Sequence, residues 1–128
     1  MSFRRVIVST KEAVEEAIAS ATTSESIFLQ FCGAKDPITG ISWCSDCIEA
    51  EPIINTSFNN ISKTKEILLI YIPLVRSEFK GISSHWARQA PFNIQRIPTI
   101  CKWGKTKIVA SLIEDECKIA ENVDTLLE

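Results

Sequence analysis

A chain of 128 residues, 45% hydrophobic and 23% charged, has the makeup of one globular domain that can build a core without staples. Its net charge of −2 argues against nucleic acid as a partner, which requires a basic face, and no apolar run approaches the ~20 residues needed to span a membrane. Five cysteines leave at least one unpaired, and Met1-Ser2-Phe3-Arg4-Arg5 leads into a short Val-Ile-Val run rather than a secretory leader, so a reducing compartment, most simply the cytoplasm, is expected.

In chain order, Arg5 to Val8 reads as a strand rich in β-branched residues. Ser9 and Glu12 have capping-box spacing and predict a helix from about Thr10 to Ser20 that buries Val14, Ala17 and Ile18. Ile27 to Phe31 is a continuous apolar strand of the kind buried on both faces, with Gln30 expected as a hydrogen-bonded core amide. Cys32 to Ser42 is an eleven-residue connection, long against the usual length of about 2–6, and rich in turn formers (Gly33, Asp36, Pro37, Gly40). It either shapes access to the cysteine pair at Cys44 and Cys47 or is a tolerated insertion.

Trp43-Cys44-Ser45-Asp46-Cys47 then opens a helix that runs to about Asn59, kinked by Pro52, with Ile53, Ile54 and Phe58 toward the core. Ile67 to Ile72 is the strongest strand, closed by Pro73. Over the following twenty residues the pattern is weak: a short helix is expected over Ser83–Ala90, with His85 at the surface or half-buried. Ile97-Pro98-Thr99 precedes an antiparallel hairpin, Ile100–Trp103 and Lys107–Ala110 across a Gly104-Lys105 turn. The cluster Lys102, Lys105 and Lys107 reads as a solvated turn. Glu114 to Leu127 predicts a final helix, with acidic residues at its positive end and Ala120, Val123 and Leu127 on one face. The order β-α-β-α-β-α-β-β-α defines an α/β class: a mixed central sheet with helices on both faces and a C-terminal antiparallel hairpin and helix, all within one domain over 1–128.

The chemistry concentrates at Cys44 and Cys47. A thiol in the first turn of a helix meets unpaired N–H groups and the positive end of the dipole, so the Cys44 pKa is expected below the free value of ~8.5. Cys47, one turn on, is expected deeper and within reach of the Cys44 sulfur. Such a pair can attack a disulfide through Cys44 and resolve the mixed disulfide through Cys47. Trp43 would limit water access on one side. No metal is expected: structural zinc takes four ligands, and Cys32, Cys101, Cys117 and His85 form no second close pair. A binding or client-trapping module without turnover, a thiol peroxidase side activity and a glutathione-dependent enzyme are the alternatives.

Trp43-Cys44-x-x-Cys47, Pro52 eight residues past Cys44, and Ile97-Pro98-Thr99 before a hairpin together resemble the thioredoxin fold over nearly the whole chain. Asp46 before Cys47, the long loop with Gly33, Lys35 and Asp36, the sequence Ala50-Glu51-Pro52 and the run Glu114-Asp115-Glu116-Cys117 narrow the likeness. They are similar to the cytosolic thioredoxin-related proteins with a WCPDC motif, the thioredoxin domain-containing protein 17 family. That resemblance implies a disulfide reductase that takes electrons from NADPH through thioredoxin reductase; a monomer with no bound cofactor is expected. It also implies selectivity for cystine and certain small or peptide disulfides. It assigns Cys44 as nucleophile, Cys47 as resolving thiol and Pro98 as the cis-proline of the substrate groove, with Trp43, Ser45, Asp46 and Ile97 around them.

Ser45 departs from the family's proline. It loosens the turn and adds a hydroxyl that could cap an N–H or bond the thiolate. The charge of Asp46 should oppose the dipole and raise the Cys44 pKa. Cys101 is expected to pack as a small hydrophobe, and Cys32 heads the loop toward the site, where a secondary disulfide is conceivable.

Overall fold

The structure is a computed structural model and describes residues 3–128. Five strands form one mixed sheet: β1 (Phe3–Ile7), β2 (Ser26–Gly33), β3 (Ile67–Leu74), β4 (Thr99–Trp103) and β5 (Ile108–Ile113). Their order is β1-β3-β2-β4-β5, with β1, β3 and β2 parallel and the β4–β5 hairpin antiparallel at the other edge. Helices α1 (Lys11–Ala19), α2 (Ser45–Ile61), α3 (Arg76–Gly81) and α4 (Ala120–Leu127) cover it.

The two-residue period of the central strands explains why they read as unbroken apolar runs. In β2 and β3, Leu29, Phe31, Leu68, Ile70 and Ile72 point into one core with Val14 of α1, Phe79 of α3 and Ile94. Phe28, Ile67 and Leu69 point into the other, with Ala50, Ile54 and Phe58 of α2 and Val123 and Leu127 of α4. On α2 those residues recur every four positions and so form one stripe. The helix stays continuous through Pro52.

Several expectations are corrected. The first helix is capped by Thr10, whose hydroxyl accepts from Ala13 N at 3.1 Å; Ser9 and Glu12 form no capping box. Pro73 does not close β3, which runs on to Leu74. The Tyr71 carbonyl accepts from Val8 N, so alternate residues, Pro73 included, turn their backbone groups toward β1. The β1 ladder ends at the Ile7–Tyr71 pair, so the missing N–H has no partner to lose.

The helix expected over Ser83–Ala90 is a single 3₁₀ turn at Trp86–Arg88, and the true helix, α3, lies earlier. Tertiary contacts decide this. Phe79 is buried, and the Arg88 guanidinium stacks 4.0 Å over its ring while its Nε donates to the Phe79 carbonyl. The hairpin turn spans residues 104–107 and is closed by Gly104 N to Lys107 O at 2.7 Å, rather than by Gly104-Lys105 alone. The C-terminal helix is broken into a 3₁₀ turn at Glu114–Lys118 and α4. Ile119 between them is extended, and the Glu116 carboxylate accepts from Ile113 N at 2.8 Å. Among the described residues no helix is long and apolar enough to cross a membrane.

Candidate active site

The strand β2 ends beneath the N-terminus of α2, and loop 34–43 between them is built to bring the chain back. Asp36 organises it: its carboxylate accepts from Ile38 N (2.7 Å) and Thr39 N (3.0 Å), which holds it below the usual carboxylate range. Gly40 takes a φ of 73°, open to glycine at little cost. Lys35 pairs with Ser42 in an isolated antiparallel bridge, and its ammonium reaches Glu51 of α2 at 2.9 Å. The Trp43 indole N–H donates to the Leu74 carbonyl at the end of β3, 2.7 Å away.

Gly33 is where the returning chain lands. A Cβ there would stand 2.8 Å from Cys44 Cβ and 2.9 Å from Ser42 Oγ and the Trp43 ring. Glycine is needed for this close approach, not for a turn as its sequence context suggested.

Cys44 sits at the N-cap of α2 in extended conformation, and its sulfur accepts from Cys47 N at 3.3 Å. The Ser42 hydroxyl accepts from Cys44 N at 3.1 Å and donates to Gly33 O at 2.8 Å. The capping role expected of the Ser45 hydroxyl thus falls to Cys44 and Ser42; Ser45 is exposed in the first turn. On the far side the Cys44 thiol faces the Ile97 carbonyl at 3.9 Å, and the Ile97–Pro98 bond is cis. The Ala90–Pro91 bond is cis too, which nothing in the sequence indicated. Cys44 is 8% exposed and Cys47 3%. Cys47 lies beneath, its sulfur accepting from Gly33 N at 3.4 Å. All five cysteines are free thiols.

The expected low pKa of Cys44 is corrected. Burial pushes the thiol up to about 12, helped by the neighbouring Cys47 sulfur and slightly by Asp46, against the lowering effect of the Cys47 N–H. Desolvation of a thiolate outweighs one hydrogen bond at a helix end. Cys47 is held higher still, first by its contact with Cys32 and then by burial.

Asp46 is not a free charge. Lys118, from the 3₁₀ turn before α4, reaches it at 2.8 Å and also bonds Glu49 (2.6 Å) and Asp115 (3.0 Å). The three carboxylates raise the Lys118 pKa. Lys118 lies 72 residues from Asp46, so no local pattern could have found it.

A cleft of about 410 Å³ opens at Cys44, walled by Trp43, Asp46, Arg76, Lys80, Arg96 and Ile97. Trp43, Arg76 and Lys80 also line a larger cleft of about 1000 Å³ between loop 34–43 and α3. His85 lies elsewhere. It is buried against Phe79 and Trp86, its Nδ1 accepts from Ala87 N at 3.1 Å, and burial lowers its pKa. Gln30 is fully buried and its amide N–H donates to Cys32 Sγ at 3.6 Å, while its Oε1 has no hydrogen-bond partner among the described residues.

A mixed sheet with a Cys-x-x-Cys helix beside a cis-proline defines a protein of the thioredoxin class, and solved structures agree on the fold. A thioredoxin-like protein from Edwardsiella tarda superposes with a TM-score of 0.62 over 98% of each chain at 13% identity. A thioredoxin h from Nicotiana alata gives 0.62 over 98% of this chain and 90% of its own at 16% identity. The family model described as thioredoxin domain-containing protein 17-like, thioredoxin domain, matches residues 7–128, and the chain belongs to that family.

Thioredoxin domain-containing protein 17 of Mus musculus is 31% identical, covering 91% of this chain and 88% of its own. The thioredoxin-like protein Clot of Arabidopsis thaliana is 26% identical, covering 93% and 90%. Membership supports a thiol–disulfide redox role in general terms.

Proposed function

We propose that the chain is a thiol–disulfide oxidoreductase in which Cys44 is the nucleophile and Cys47 the resolving thiol. The observation that carries this is the dithiol at the head of α2. Cys44 lines an open cleft with its sulfur facing the Ile97 carbonyl, and the N–H of Cys47, one turn on, bonds that sulfur. The small Cys44 thiolate fraction, stabilised by the Cys47 N–H, attacks a substrate sulfur and expels the first product thiolate. The Cys47 thiol then loses its proton and attacks the Cys44 sulfur. That forms the Cys44–Cys47 disulfide and releases the second product thiol. Two electrons and two protons have passed to the substrate.

Cystine and small or peptide disulfides are the proposed substrates, and NADPH through thioredoxin reductase is the proposed source of electrons. The protein would act as a monomer in the cytoplasm. Ile97 and Pro98 would present backbone groups to the substrate, with Trp43, Ser45 and Asp46 setting the reactivity of the pair. NADPH consumption with thioredoxin reductase, this protein and cystine tests the reading, with Cys44→Ser as control. Turnover lost in the variant is the expected result. Absence of turnover in the wild type, with Cys44 alkylatable, overturns this reductase assignment. The deep burial of Cys47 supports a second reading, a client-trapping module whose mixed disulfides resolve slowly. It calls for covalent clients held by the unmodified protein, not by Cys47→Ser alone.

A further inference from the structure

Cys32 was expected to head the loop. It is instead the penultimate residue of β2, 3% exposed. Strand alternation puts it on the same face of β2 as Phe28 and Gln30. The Cys47 sulfur is anchored on that face by the N–H of the very next residue, Gly33, at 3.4 Å. Cys32, Cys44 and Cys47 share one buried cluster, and the Cys32 thiol is the first of the causes that push the Cys47 thiol up. The Gln30 amide, itself fully buried, donates to Cys32 Sγ at 3.6 Å and so offers a thiolate there a hydrogen bond. Cys47 therefore has a sulfur neighbour at two sites, Cys44 toward the cleft and Cys32 toward the sheet.

We propose that Cys32 is a third redox-active thiol of this site and forms a buried disulfide with Cys47 by exchange. The inference rests on the oxidoreductase reading, because it starts from the Cys44–Cys47 disulfide left by turnover. The Cys32 thiol gives up its proton and its sulfur attacks Cys47 Sγ. The Cys44–Cys47 bond breaks, and Cys44 departs with the bonding pair and takes up a proton. One S–S bond forms as one is lost, so no oxidant or reductant is consumed. The product hides the oxidising equivalent under α2 and returns Cys44 to the cleft as a free thiol. In that state the protein can still form a mixed disulfide with a client, but Cys47 cannot release it.

The remaining thiols serve as internal controls. Cys101 is fully buried in β4, and the Cys117 sulfur lies 3.3 Å from the Leu112 carbonyl and 3.6 Å from the Pro98 carbonyl.

The test uses the full chain, oxidised with cystine, freed of excess and left overnight with iodoacetamide. Alkylation of any released Cys44 draws the exchange forward. After an acid quench, non-reducing tryptic mass spectrometry separates the outcomes, because Cys32 falls in peptide 12–35 and both Cys44 and Cys47 fall in 36–63. The expected result is a cross-link between the two peptides with Cys44 alkylated, lost in Cys32→Ser, which keeps the disulfide inside 36–63. An intact internal disulfide with Cys44 unalkylated in the wild type overturns the role of Cys32 and leaves the reductase reading standing. So does Cys44 alkylation without the cross-link. Failure of cystine to produce any disulfide overturns both. Should Cys32→Ser fail to fold, the wild-type cross-link decides alone.

Discussion

At the scale of single residues, the reactivity of Cys44 is a contest between a helix end and burial, and burial wins. The motif Cys44-x-x-Cys47 announced the chemistry without showing how deeply the loop and the Ile97 carbonyl would enclose it. Asp46 adds a smaller upward push, muted by Lys118. Asp46→Asn removes the negative charge that helps raise the thiol, and this favours the thiolate. The Cys44 pKa should therefore fall. The pH dependence of its alkylation checks this: in the wild type the rate should climb about tenfold per unit well beyond pH 9, and in the variant the curve should move to lower pH. An unmoved or upward-moved curve sinks this account of Asp46. The cysteine pair and the cis bond at Pro98 were legible because each carries a local signature. Lys118 and the role of Gly33 were not, because each exists only through a contact made across the fold.

Among elements, the decisive junction is the end of β2 against the start of α2. Gly33 has no Cβ, so Ser42, Trp43 and Cys44 can close over it. Gly33→Ala should cost about 1–3 kcal/mol, the usual range for overpacking a tight site, and should shift Cys44 from its place opposite Ile97. Urea unfolding measures the first effect. A changed alkylation rate of the folded variant measures the second. Wild-type values for both would mean the loop yields freely. Element boundaries went wrong where side chains from distant segments decided them: Phe79 with Arg88 at α3, and Glu116 at the break before α4. The 3.6-residue pattern of α2 and the apolar runs of β2 and β3 were correct because burial on a known number of faces dictates the pattern directly.

For the molecule as a whole, edge strand β1 is tied down by an ion pair that spans 21 residues. Arg4 bonds Glu25 through both carboxylate oxygens at 2.8 Å, and the pair holds Glu25 near a pKa of about 2. An unfolded glutamate titrates at about 4.3. The native state thus binds the proton less readily, so the contribution is complete above that value and is lost as pH falls from about 4 toward 2. Melting temperatures across that window should drop less steeply in Arg4→Met than in the wild type. Parallel curves would assign acid sensitivity to other carboxylates.

The fold class, the order of the strands along the chain and the cysteine pair can be read from local pattern alone, because hydrophobic period and a three-residue cysteine spacing are local properties. Folding in three dimensions sets three further facts: Cys32 and Cys47 share one buried cluster, Lys118 pairs with Asp46, and burial overrides the helix end at Cys44. Those facts depend on which distant surfaces meet, and pairing of that kind is set by packing the whole sheet between its helices.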